Sequence, residues 1–219
     1  MKINFYFINA LAFIFSSVLL HAQNENYTEI TEIDNIKSKL ITHAASTSSI
    51  ESTFIQEKHL WMLDEVLISK GEFLFKKENS VRWQYNSPIQ YTIVIHNGLF
   101  TIVNNNKVSE FNIDSNPMFR EINNMIVTAI RGDFINNKDF KAKFFENSEN
   151  YLAKLTPTNA QVSLMLETID IYFNKQNMQV AKIVFSEPGD DFTLITFQNK
   201  KINAELLDDR FLVKDISID

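Results

Sequence analysis

Three histidines, His43, His59 and His96, are the side chains best suited to metal ligation or proton transfer once the first 22 residues are set aside. None has a second histidine at ligand spacing and cysteine is absent, so a transition-metal site would need scattered carboxylates. Adjacent acids occur at Asp64-Glu65, Asp190-Asp191 and Asp208-Asp209. Strand neighbours point to opposite faces, and each pair falls where a turn is expected, so these acids read as solvated turn residues. The four glycines are too far apart for a phosphate-binding loop or a dinucleotide fingerprint, and no nucleophile elbow is present. A glycan hydrolase built from dispersed acids, such as Glu167 and Asp170 on one expected strand, is the weakest of the readings kept. The expectation is a protein that is not an enzyme and carries no metal or cofactor.

What the chain has in excess is apolar bulk. It holds nineteen Phe against four Gly and four Pro, and only four of the Phe precede residue 23. So many rings need a thick core or a lined cavity. For any one aromatic both readings stay open, since core packing and cavity lining ask for the same residue types. Met is well suited to a lining, because a flexible thioether repacks around varied guests.

Residues 1–22 read as a secretory signal, with Lys2 before a mainly apolar run from Phe5 to Leu20 and Ala22 as the last residue. A transmembrane anchor is the competing reading, but the run falls short of the ~20 apolar residues a span requires. Removing 22 of 219 residues leaves 197, expected to form one domain, 23–219, with a sizeable core. Without cysteine, export brings no disulfide, so packing alone must stabilise the fold. Loss of Lys2 takes the net charge from −6 to −7, which argues against nucleic acid as a partner. The expected location is the periplasm.

The elements that must carry these residues are mostly strands. Ile30, Ile33, Ile36, Leu40, Ile41 and Ala44 recur at helical spacing, with Thr28 as the expected N-cap. Strands are expected over Ser52–Trp61, Val66–Lys77, Ser80–Tyr85, Gln90–His96, Leu99–Val103 and Val108–Ile113. After them, Asn116, Pro117 and Gly132 bracket a helix whose apolar stripe includes Met118, Phe119, Ile122, Met125 and Ile126. Strands resume at Phe140–Phe145, Tyr151–Thr156, Leu164–Phe173, Val180–Phe185, Phe192–Phe197 and Arg210–Val213. Turns are marked by Asn97-Gly98, the Asn104–Asn106 run and Gly189-Asp190. Short joints imply an antiparallel meander, because parallel pairs need long crossovers.

The strand faces separate the alternatives. Val81, Trp83 and Tyr85 oppose Arg82 and Gln84. Further on, Tyr91, Ile93 and Ile95 point one way while Val94 points the other. A sheet apolar on both sides needs cover on both. Two helices cover one face only partly, so the other must meet more sheet, a partner or a ligand.

The stretch Gly71 to Pro88 resembles the second and third strands of the LolA-type outer-membrane lipoprotein carriers. Gly71, Lys76, Asn79, Trp83 and Pro88 fall in the family's register. Phe54-Ile55-Gln56, Leu155-Thr156-Pro157, and the run Phe197 to Asn203 followed by Phe211 are similar to further family segments, in the same order. The resemblance implies a mainly β fold with α (α+β), an unclosed antiparallel β-barrel of about eleven strands with a helical lid over an apolar cavity. It implies a monomer whose partners are acylated lipoproteins, an inner-membrane lipoprotein-releasing ABC transporter and an outer-membrane receptor. The expected lipid-binding residues are Phe73, Phe75, Trp83, Tyr85, Ile93, Met118, Ile122 and Met125. Lys77 stands where the family has an Arg that takes part in cargo transfer, and Glu78 replaces the family's Pro. Lysine lacks the planar fork of arginine. That difference keeps a second expectation open: a LolA-like paralogue that carries another lipid or pigment-pathway cargo, or senses lipoproteins.

Overall fold

The computed structural model describes residues 26–77, 80–104, 107–112 and 139–213. In chain order the elements are β1 (Thr28–Glu29), α1 (Asp34–Ser46), β2 (Ser49–His59), β3 (Leu67–Lys76), β4 (Ser80–Ser87), β5 (Tyr91–His96), β6 (Leu99–Asn104) and β7 (Lys107–Asn112). They continue with β8 (Phe140–Glu146), β9 (Asn150–Pro157), α2 (Ala160–Ser163), β10 (Thr168–Asn174), β11 (Val180–Ser186), β12 (Phe192–Ile202) and a 3-10 turn, Asp208–Phe211. The expected signal, and the mid-chain helix with Met118, Ile122 and Met125, lie outside the described residues.

All twelve strands join one antiparallel sheet in the order β1-β8-β9-β10-β11-β12-β2-β3-β4-β5-β6-β7. Two meanders, β2 to β7 and β8 to β12, meet where β12 pairs with β2, and the sheet ends at β1 and β7 without closing. The expected unclosed antiparallel sheet is therefore present, with the two-residue β1 as an addition at one edge. Local chemistry accounts for the tight turns. Asn97 and Gly98 adopt φ of 50° and 76°, and Gly189 and Asp190 adopt 89° and 68°. The first pair is a two-residue hairpin between His96 and Leu99 and the second closes a three-residue loop between Glu187 and Asp191; both need left-handed values that Asn, Asp and Gly tolerate.

Several expected elements are corrected. Thr28 does not cap α1; it pairs with Glu146 in β1, and α1 starts at Asp34 with no side-chain cap. β2 ends at His59, which leaves Trp61 exposed in the connection to β3, its amide held by Asp191 Oδ1 at 2.7 Å. β10 starts at Thr168, because α2 and an exposed Leu164-Met165 pair precede it. Arg210–Val213 is not a strand: Phe211 ends the 3-10 turn.

Strand register sorts the apolar residues onto one inner face. Phe144, Ala153, Leu155, Ile169, Ile171, Phe173 and Ile183 form one half, covered by Ile36 and Leu40 of α1. Phe54, Phe73, Phe75, Val81, Trp83, Tyr85, Ile95, Phe100 and Ile195 form the other. Phe185 and Phe197 touch both halves, so the inner face is continuous. On the outer face Leu74 and Val94 are covered by Leu206 and Phe211 from the chain's own C-terminal segment. An ion pair from Lys76 to Asp208 (2.6 Å) and a ring stack of His96 on Phe211 (6.0 Å) hold that segment down. Where more sheet, a partner or a ligand is expected over the second face, Leu74 and Val94 are covered by this C-terminal segment instead.

Candidate lipid-binding site

Between α1 and the inner face lies an apolar crevice of about 40 Å³, lined by Leu40, His43 and Ala44 of α1 and by Phe73, Phe173, Ile183 and Phe197 from the sheet. A buried water needs roughly 10–15 Å³ of such space, so a crevice of this volume admits a few waters and no acyl chain. Two titratable groups line it. Burial holds the His43 imidazole below its ordinary pKa, and burial likewise lowers the ammonium of Lys200, which donates to the Val180 carbonyl at 2.8 Å.

The C-terminal end of α1 is tied to the sheet by two side chains. A helix leaves its last carbonyls without internal partners, and cations or amides near that end satisfy them. Lys77 Nζ donates to the Ala45 carbonyl. Asn203 Nδ2 donates to the Ser46 carbonyl at 3.1 Å, while its Oδ1 accepts from the Ser48 amide at 2.7 Å. Asn203 can reach back because its own φ is 59°, a left-handed value that asparagine tolerates. The N-terminal end of α1 lacks a side-chain cap. The chain just before it is held to the sheet by backbone instead, through the pairing of β1 with β8 and the Ile30 amide, which donates to the Phe144 carbonyl at 2.8 Å.

The expected lining residues separate into three groups. Phe73 lines the crevice. Phe75, Trp83 and Tyr85 are buried beside it, with Ile93 packed against them, in a cluster of rings. Trp83 meets Phe54 and Phe73 edge-on at 5.3 and 4.9 Å, and Tyr85 stacks on Tyr91 at 4.2 Å. The Tyr85 hydroxyl donates to Gln56 Oε1 at 2.8 Å, and burial, then Tyr91, push its phenol pKa up. Met118, Ile122 and Met125 lie outside the described residues. Leu40, Phe173, Ile183 and Phe197 escaped the sequence reading as lining residues. For the three strand residues the signal was the alternation on β10, β11 and β12, and for Leu40 the helical spacing on α1; these show shared faces but not which strands lie opposite α1.

A larger groove, about 450 Å³, lies on the outer face under the C-terminal segment. Its lining includes Glu72, Arg82, Asp209 and Arg210. Burial and the nearby Arg210 lower the Arg82 pKa. Charges of both signs make it a poor host for hydrocarbon. Asp170 and Glu167 form no joint site: Asp170 points to the outer face and pairs with Lys154 at 3.4 Å, and burial raises its pKa. Among the described residues no group of three or more His, Asp or Glu is placed to hold a metal ion. Nor is any described helix long and apolar enough to cross a membrane.

An open antiparallel sheet with a helix laid on its apolar inner face defines the class, the LolA-like fold. The sequence model of the family described as outer membrane lipoprotein carrier protein LolA matches residues 45–214, and the chain belongs to that family. No curated protein sequence matches it. Among solved structures it is similar to the LolA superfamily protein NE2245 of Nitrosomonas europaea (9% identity, 81% of this chain and 97% of that one, TM-score 0.44). It is also similar to an outer membrane lipoprotein-sorting protein domain of Vibrio parahaemolyticus (7%, 81% and 94%, 0.42) and to the lipoprotein LppX of Mycobacterium tuberculosis (8%, 78% and 96%, 0.44).

Proposed function

We propose that this chain is a periplasmic carrier that takes up the acyl chains of lipoproteins between α1 and the inner face of the sheet. It receives them from an inner-membrane ABC transporter and delivers them to an outer-membrane receptor, breaking no bond. The observation that carries this reading is the helix itself, seated on a continuous apolar face and fastened at its C-terminal end by the side chains of Lys77 and Asn203. The crevice is too small for an acyl chain, and α1, which bounds it opposite the sheet, is the part that lifts. Lifting it re-exposes Ile36 and Leu40 at roughly 1.5–3 kcal/mol each, whereas ten sheltered methylenes contribute about 8 kcal/mol. Cargo entry is thus strong enough to open the lid, and the lid's own burial helps expel cargo into a receptor that binds better.

Protein purified from the periplasm without detergent is expected to carry acylated protein or lipid detectable by mass spectrometry. Finding neither, in a preparation that also ignores added acyl peptide, overturns the carrier reading. The Lys-Lys-Glu turn supports a second reading, a paralogue dedicated to another lipid cargo or to sensing lipoproteins. In the general carrier, deletion makes lipoproteins accumulate in the inner membrane; in the dedicated paralogue their sorting stays intact.

Lys77 is the proposed cargo-transfer residue because its ammonium reaches the lid. Lys77→Met keeps the stem and removes the donor to the Ala45 carbonyl. Uptake of a fluorescent acyl probe is expected to become about three- to tenfold faster, the scale that ~1 kcal/mol of lost closure supplies. An unchanged uptake rate would separate Lys77 from the lid.

A further inference from the structure

Two buried polar atoms on the inner face have no hydrogen-bond partner among the described residues: Ser52 Oγ and Trp83 Nε1. Both residues are more than nine-tenths buried, at 3% and 7% exposure. Strand register puts them in one row, because Ser52 on β2 pairs with Phe73 on β3 and Phe73 pairs with Trp83 on β4. Ser52 and Phe73 line the crevice under α1. Other buried hydroxyls are satisfied: Thr47, also at the crevice, donates to the His43 carbonyl, and on the outer face Ser49 donates to the Ala204 carbonyl and Ser80 pairs with His96. The third unpartnered atom, Asp170 Oδ1, belongs to a carboxylate that faces outward and is paired through Oδ2.

Both orphans can donate, and the indole N–H can do nothing else. Hydrocarbon cannot answer them. A charged acceptor would have to lose its water in an apolar site, which is costly without a counter-ion, and Lys200 is already engaged by the Val180 carbonyl. What fits is a neutral carbonyl oxygen entering together with apolar chain. Ser52 and Trp83 sit two strands apart, a backbone separation of ~10 Å, so each addresses its own acceptor.

Resting on the carrier reading above, we propose that Ser52 and Trp83 form a two-donor carbonyl subsite flanking Phe73. The ligand class it selects is an acyl lipid with more than one ester or amide carbonyl at the head of its chains. The subsite gives the cavity a register: chains insert until their carbonyls reach this row, so the lipid is gripped at a fixed depth and not only by hydrocarbon length.

The test is a pair of glycerol lipids of equal chain length, dioctanoylglycerol with two ester carbonyls and its dioctyl ether with none. Affinities are measured by displacement of a fluorescent acyl probe from the mature protein. The wild type is expected to prefer the ester at least tenfold, about 1.4 kcal/mol. Ser52→Ala and Trp83→Phe are each expected to narrow the ester-over-ether preference three- to tenfold. Ser52→Ala is also expected to leave the Tm of the lipid-free protein unchanged or higher, because it removes an unpaired buried hydroxyl. Equal wild-type affinity for ester and ether overturns the subsite while leaving the carrier reading intact. So does a Ser52→Ala variant that loses affinity for both probes alike, or one that melts lower. Failure of both probes to bind overturns subsite and carrier together.

Discussion

Alanine at Gly71 is expected to lower Tm by about 10 °C or to prevent accumulation of folded protein. The Phe54 ring lies over Gly71, its register partner, and reaches from there to Trp83 and Tyr85 at 5.3 and 5.1 Å. A Cβ at position 71 would stand 1.9 Å from the Gln84 carbonyl oxygen and 2.8 Å from Cε1 of Phe54. Backbone cannot yield as a side-chain tip can, so β4 must move, and the register irregularity between Lys70 and Gly71 leaves little slack. Overpacking of this kind costs roughly 3 kcal/mol or more, and a chain of this size loses about 2–4 °C of Tm per kcal/mol. Gly98→Ala supplies the contrast. Nothing lies within 4 Å of the added Cβ, and the strain of φ +76° is the sole penalty, ~1 kcal/mol. Urea unfolding of the two variants reads the difference, and similar midpoints would mean that β4 shifts more freely than its contacts suggest.

Phe73→Ala is expected to destabilise the lipid-free protein and improve it as a host. Phe73 is 1% exposed and meets Trp83 and Phe197 edge-on at 4.9 and 5.6 Å. Removing so buried a ring costs about 3–5 kcal/mol, through lost transfer free energy and the void left behind. That void joins the crevice under α1, so an acyl chain can fill what the ring vacated. Thermal melts with and without a saturated acyl probe separate the effects. The lipid-free Tm falls by about 10 °C, and the rise on adding probe exceeds that of the wild type. A variant that melts lower but gains no more from the probe would show that Phe73 supports the core without bounding the host space.

Local chemistry made much of this architecture legible. Asn97-Gly98 fixed one hairpin, and the alternation of Val81, Trp83 and Tyr85 against Arg82 and Gln84 placed β4 correctly on the inner face. Features set by distant pairing were harder to see. Arg210–Val213 reads locally as a strand, and nothing local shows that Leu206 and Phe211 instead cover Leu74 and Val94 from around a 3-10 turn. Phe173, Ile183 and Phe197 reach the crevice beside Phe73 only because β12 pairs with β2, a contact between strands more than a hundred residues apart in sequence. Asn203 was visible as part of a family-like run, but its hold on Ser46 and Ser48 depends on a left-handed backbone at the end of β12. Trp83 stood out in sequence only as an apolar lining residue, and Ser52 not at all. Their significance lies in partners they lack, which no residue pattern displays.

In a closed barrel, strand number and shear dictate the circumference, and swelling it means breaking a seam of hydrogen bonds. Here β1 and β7 end the sheet without meeting. The wall can therefore widen or tighten by small changes of twist spread over eleven intact ladders. A slender guest and a stout one can be housed by the same wall, and the difference in girth is absorbed by the gap.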